Sequence, residues 1–278
     1  GIDAVTIATP PDHHAALTLE AIAAGAHVLC EKPFALDARE AEAMVSAAAE
    51  GRVVGLVGHE FRFTPSQALV ARLLGAGAIG APRLAVLTQL IGLVADPSAP
   101  MPAWWFDPAR GGGWLGASGS HAIDRVRHWF GEVTAVDGLV QRRRDLADDT
   151  FAARLRTADG CVVEVVQSAA AWGPATGMTR IVGPDGSLWL DGEQVMLADA
   201  AHPDGLVVDV PQDLRLADVA SPPTPDSPSH RFTHLELGPY TRLCQRFAAA
   251  IEGGDAGGAA TFADGLAVQR VLDAIRAG

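Results

Sequence analysis

The first 60 residues alternate between short apolar runs and longer amphipathic stretches. Residues 4–8, Ala-Val-Thr-Ile-Ala, are apolar and β-branched and stop before Pro10-Pro11, the pattern of a buried strand. Asp12 is placed to cap a helix in which Ala15, Leu19, Ile22 and Ala23 share a face, with Gly25 ending it. Residues 28–30 predict a second strand, Asp37 caps a second helix over 38–50, and 53–58 predict a third strand. Strands separated by helices in this way predict a parallel, doubly wound sheet, here the second half of a Rossmann domain.

Beyond residue 60 the pattern changes. A helix over 66–74 and a strand over 83–90 precede a Pro-, Trp- and Gly-rich loop over 92–117 and a helix over 119–130. Strand patterns follow at 133–140, 150–156, 162–170, 180–183 and 187–190, the last two joined by an Asp185-Gly186 turn. Strands without helices between them predict an antiparallel or mixed sheet. Residues 221–228 are too proline-rich for regular structure and predict a surface loop placed where a lid would sit. Helices over 239–252 and 261–276 close the chain. The expected fold class is α/β: a partial Rossmann sheet in residues 1–60, then an α+β domain with a large mixed or antiparallel sheet in 61–278. The last helix is expected to pack back on the first part.

Charge narrows the function. The 278 residues carry 21 Lys and Arg against 33 Asp and Glu, a formal charge of −12, which argues against nucleic acid. Three separated cysteines without a Cys-x-x-Cys spacing suit a reducing compartment, and no apolar run reaches 18 residues. A soluble, cytoplasmic protein with a small-molecule substrate and no membrane partner is expected.

Gly75-Ala76-Gly77-Ala78-Ile79-Gly80 spells the dinucleotide fingerprint but follows a helix and precedes a strand. The fingerprint works only after a strand and before a helix, so this stretch is expected to be a helix end and turn.

Lys32 is the only lysine; the other 20 basic residues are arginine. It stands in His27-Val28-Leu29-Cys30-Glu31-Lys32-Pro33, where Pro33 ends a strand and leaves Glu31 and Lys32 at its tip. Ligands of open α/β sheets bind at such carboxyl ends, and a lysine, unlike an arginine, can carry a proton on and off. Ala8-Thr9-Pro10 with His14, this Glu-Lys-Pro segment, residues 59–65 (His-Glu-Phe-Arg-Phe-Thr-Pro), 111–124 and 268–274 together resemble the glucose–fructose oxidoreductase/inositol dehydrogenase (Gfo/Idh/MocA) family, in the family's order.

The resemblance implies an NAD(P)-dependent oxidoreductase acting on a sugar, cyclitol or related hydroxyl or carbonyl compound. It implies Lys32 as a catalytic residue with His121, and Thr9, Pro10, His14, Glu31, Lys32 and Pro33 around an NAD or NADP cofactor. Arg62, Trp114 and Asp124 are the substrate-side candidates, with a hinge salt bridge the competing role for Arg62 and core packing for Trp114. It also implies a homo-oligomer, dimer or tetramer, and about 60 residues of glycine-loop sequence ahead of Gly1, on the scale of two βαβ units. Family members often carry an aspartate four residues before the histidine; here that position is Ala117. The departure leaves an alternative open, a non-catalytic relative that binds a small ligand or partner subunit. His121, Asp124 and His128 share one helical face, but one face rarely supplies a complete metal shell, and no metal is expected.

Overall fold

A computed structural model describes residues 1–98, 100–143, 146–217 and 233–278. The proline-rich stretch 221–228 lies outside them. The chain opens with β1 (Ala4–Ile7), α1 (His14–Ala23), β2 (His27–Cys30), α2 (Ala38–Gly51) and β3 (Gly55–Val57). The strands form a parallel three-stranded sheet in the order β1-β2-β3, with Ile7 opposite Cys30 and Cys30 opposite Val57. Gly25 closes α1 at φ +82, a conformation that costs other residues their Cβ clearance. Asp37 caps α2, accepting from the Glu40 N–H at 2.8 Å.

Asp12 does not cap α1. Pro11–His13 form a 3-10 turn, and the Asp12 carboxylate accepts from Arg110 Nε at 2.7 Å instead. A charged guanidinium outcompetes a backbone N–H for it.

α3 (Pro65–Gly75) ends in the glycine stretch as a turn: the Gly77 and Ala78 N–H groups donate to Leu74 and Leu73 carbonyls, and Gly77 and Gly80 have positive φ. Then come β4 (Leu84–Leu90), α4 (Ser120–Phe130), β5 (Val133–Arg142), β6 (Asp148–Thr157), β7 (Val162–Ser168), β8 (Thr176–Val182), β9 (Gly186–Asp191), β10 (Gln194–Asp199) and β11 (Leu206–Val208). They make an eight-stranded mixed sheet in the order β11-β10-β9-β8-β4-β7-β6-β5, in which only the β4–β7 pairing is parallel. The 92–117 loop contains short 3-10 turns and ends in a π-helical turn, Leu115–Gly119, that runs directly into α4.

α5 (Thr233–Ile251) and α6 (Phe262–Ala277) close the chain. Thr261 and Asp264 form a reciprocal capping box at the start of α6. Phe262 packs on Phe34 with ring centroids 4.7 Å apart, in the core of the small sheet. Val268, Val271, Leu272 and Ile275 instead join α4 and the inner faces of β6 and β7. One helix thus serves both cores and fixes the two sheets against each other.

Candidate active site

Strand pairing continues to the carboxyl edge of the small sheet. The Glu31 N–H donates to Ile7 O at 2.8 Å and the Gly58 N–H to Cys30 O at 2.7 Å. The loops after β1, β2 and β3 therefore emerge side by side. His14, fully buried, ties two of them: Nδ1 is 2.9 Å from Pro33 O and Nε2 is 2.9 Å from Thr9 O. Burial holds its pKa below the usual histidine range. His14 thus stands between the loops after β1 and β2, and as a neutral ring it donates its one N–H to one of the two carbonyls. Thr9 and Pro10 lie in the first loop, and Pro33 follows Lys32 through a cis peptide bond.

Lys32 Nζ donates to the Ala117 carbonyl oxygen at 2.9 Å, joining the β2 tip to the π-helical turn of the larger unit. Irregular turns of this type leave backbone groups free of the regular i→i+4 ladder. A cavity of about 320 Å³ beside Lys32 is lined by Glu31, Glu60, Glu236, Leu237 and Tyr240. Gly58 makes room for Glu31: a Cβ there would stand 2.9 Å from the Glu31 carboxylate oxygen. Burial raises the Glu31 carboxyl, with the Lys32 charge opposing the shift. It pushes Glu60 up to about 8, again against Lys32. Glu60 is thus largely neutral at pH 7 and can donate a hydrogen bond.

Glu60 lines the Lys32 cavity and also approaches His121. Its Oε1 lies 3.9 Å from His121 Nε2, and both residues are buried. Burial, and then the Lys32 charge, hold His121 well below the usual histidine range, so its ring is neutral. Its Nδ1 has no partner, and the Phe61 ring packs on it at 4.6 Å. His59 stands edge-on at 5.6 Å, its pKa pushed down to about 4 by burial. Glu60, His59 and Tyr240 carry no motif of their own; the place of His59 and Glu60 inside the His-Glu-Phe-Arg segment hinted at these two, and nothing pointed to Tyr240.

The substrate-side candidates separate. Arg62 and Asp124 face each other, with Nε–Oδ2 2.8 Å and Nη2–Oδ1 2.6 Å, and Asp264 stands 3.5 Å from Arg62. They form a buried two-pronged pair across the two units, the geometry of the hinge salt bridge expected as the competing role for Arg62. Trp114 is buried in the larger core and lines neither cavity around Lys32 or His121. With Asp124 turned to Arg62, the His121-Asp124-His128 face is broken up; among the described residues no three such side chains are grouped to hold a metal. A second cavity, of about 350 Å³, opens on the other side of His121 and is lined by Ser118, Gln89, Gln167, Thr179 and Arg125. None of these five was singled out by the sequence.

Two family models match the chain: the NAD-binding Rossmann-fold oxidoreductase family over residues 1–59 and the GFO/IDH/MocA C-terminal domain over residues 68–189. An uncharacterised oxidoreductase of Synechocystis is 32% identical over 72% of this chain and 57% of its own length. Levoglucosan dehydrogenase of Pseudarthrobacter phenanthrenivorans is 37% identical over 50% of this chain and 36% of its own. The inositol 2-dehydrogenase of Rhizobium meliloti is 29% identical over 98% of this chain and 77% of its own. The chain thus spans only about half or less of the first two relatives. Among solved structures, levoglucosan dehydrogenase superposes with a TM-score of 0.82 at 28% identity, over 99% of this chain and 77% of that one. Its complex with NADH superposes at 0.80.

Proposed function

Because the chain belongs to the Gfo/Idh/MocA oxidoreductase family, we propose that it moves a hydride between NAD and a hydroxyl or carbonyl carbon of a sugar or cyclitol. The observation that carries this reading is the Lys32–Glu60–His121 line, which runs from the carboxyl edge of a parallel sheet to an open cavity. Residues 1–60 would hold the cofactor and 61–278 the substrate. The strand-tip loops fit the nicotinamide side of a dinucleotide: Thr9, Pro10, Glu31, Lys32 and Pro33 stand together there. Bound NAD supplies the hydride acceptor.

The protein's own part is proton handling and orientation. Neutral His121 accepts the hydroxyl proton, Lys32 donates a hydrogen bond to the same oxygen, and Glu60 is the next proton holder at 3.9 Å. Ala117 does not leave Lys32 without an anchor, since its backbone oxygen provides one. The similarity to levoglucosan dehydrogenase, solved in complex with NADH, and to inositol 2-dehydrogenase supports this reading. Titration with NADH and NADPH, then a screen of neutral and charged sugars for cofactor reduction, tests it. Failure of every sugar with cofactor bound would overturn it.

We also propose self-association through the open face of the eight-stranded sheet, and residence in a reducing cytoplasm that suits its three free cysteines. α4 and α6 cover only the other face, leaving Leu84, Leu90, Val166, Met178 and Val182 exposed on strands β4, β7 and β8.

A further inference from the structure

The cavity beside His121 contains a cation without a counter-ion. Arg125 lines it, and also lines an adjoining open cleft of about 760 Å³. The two other arginines on and beside the α4 face are paired, Arg62 with Asp124 and Arg127 with Glu132 and Asp264, while Arg215 at the rim of the cleft is exposed and donates to the Val210 carbonyl. Among the described residues Arg125 has no carboxylate within 4 Å, and its Nε is buried without a partner. The nearest acid, Asp124, is already taken by Arg62. The guanidinium lies 5.6 Å over the Trp129 ring, which offsets part of its desolvation and holds it in place. Glu193, the carboxylate of the adjoining cleft, is exposed and forms no ion pair among the described residues. Gln167, buried in the same cavity, also leaves its Oε1 unpartnered. Burial draws the Arg125 pKa down to about 10, opposed in part by the charge of Asp124, which is bonded to Arg62.

We propose that Arg125 is a specificity residue for a sugar bearing an anionic group, a carboxylate in the first instance, with Gln167, Gln89 and Thr179 meeting its hydroxyls. This rests on the dehydrogenase reading above. His121 and Arg125 are four residues apart on α4, so they share a face and are separated by about 6 Å along the axis. A hexose whose ring carbon reacts at His121 places a terminal carboxylate at that distance, and the guanidinium fork matches a carboxylate or a phosphate.

The test is calorimetric titration of the NADH-loaded protein with D-glucuronate, D-glucose and glucose 6-phosphate, repeated on Arg125→Met and Arg125→Lys. The wild type should bind glucuronate at least tenfold tighter than glucose. Arg125→Met should remove that preference while leaving NADH and glucose binding unchanged. Arg125→Lys, which keeps the charge and guards against a folding failure, should weaken glucuronate several-fold without touching glucose. Tighter binding of glucose 6-phosphate than glucuronate would assign the same anion site to a phosphosugar. Equal binding of charged and neutral sugars, or a preference that survives in Arg125→Met, overturns the proposal while the dehydrogenase reading stands. Binding of no sugar overturns it too; loss of NADH binding as well would remove the dehydrogenase reading with it.

Discussion

Lys32 Nζ donates to the Ala117 carbonyl oxygen at 2.9 Å, a bond between residues 85 positions apart. The position that often carries an aspartate in the family still anchors the lysine, through backbone instead of side chain. An arginine in place of Lys32 would keep the charge but could not exchange a proton, and its longer fork would displace the π-helical turn. Lys32→Arg and Lys32→Met are both expected to lower turnover by about 10² to 10⁴-fold. NADH affinity should change less than tenfold in the methionine variant. Comparable turnover in either variant would remove Lys32 from the chemistry.

Arg62 and Asp124 form a buried ion pair whose partners are both under a tenth exposed. Removing one charge strands the other in a desolvated position. Arg62→Leu is expected to cost about 3–5 kcal/mol in denaturant unfolding, and Arg62→Leu with Asp124→Leu much less than the sum of the single changes. Additive losses would mean the two side chains do not depend on each other.

Much of this architecture was legible in the sequence, for identifiable reasons. β1, β2 and β3 are apolar runs ended by proline or glycine, and α6 is bounded by the Thr261–Asp264 box. The Glu-Lys-Pro tip stood out because Lys32 is the only lysine. β10 and β11 escaped notice: Gln194–Asp199 has Met, Leu, Ala and Asp where β-branched residues would mark a strand. Arg125 and Glu60 escaped for a different reason. A charged residue's meaning lies in whether a partner stands opposite, and that is set by contacts distant in sequence. The same applies to His14 and Arg62, whose real partners are carbonyls of Thr9 and Pro33 and the carboxylates of Asp124 and Asp264.

Glu60 should make stability pH-dependent. Its carboxyl is raised to about 8 in the folded protein, against about 4.3 unfolded. A group raised in the folded state stabilises fully below its unfolded pKa and loses that contribution as pH climbs through the folded value. The loss therefore spans about pH 4.3 to 8 and amounts to a few kcal/mol on the order of one 1.4 kcal/mol step per unit. Glu60→Gln stays neutral throughout, so its melting temperature relative to wild type should rise steadily from pH 5 to pH 8. A difference that stays flat with pH would show that Glu60 is ionised in the fold.

The buried histidines act in the opposite sense. His14, His59 and His121 all have folded pKa values below the ordinary range through burial, His59 at about 4. A histidine lowered in the fold takes up its proton more readily when unfolded, so stability falls as pH drops below about 6.5. Wild type should lose melting temperature steeply between pH 6.5 and 4.5.

The open sheet face gives the last prediction. Met178 pairs across the strands with Thr88, which in turn pairs with Val166, so these residues form one row on the uncovered side. Met178 and Val166 are 45% and 37% exposed, well above what a solvated face requires of a thioether and a valine. If that row is covered by a second copy, Met178→Glu with Val166→Glu places four like charges across a two-fold interface. Light scattering after gel filtration should report a multimer for the wild type and a monomer for the double variant. NADH affinity, assigned under the proposed function to residues 1–60, should be unchanged in the variant. A wild type that is monomeric at all concentrations tested would leave the row as solvent-facing surface and remove the self-association reading.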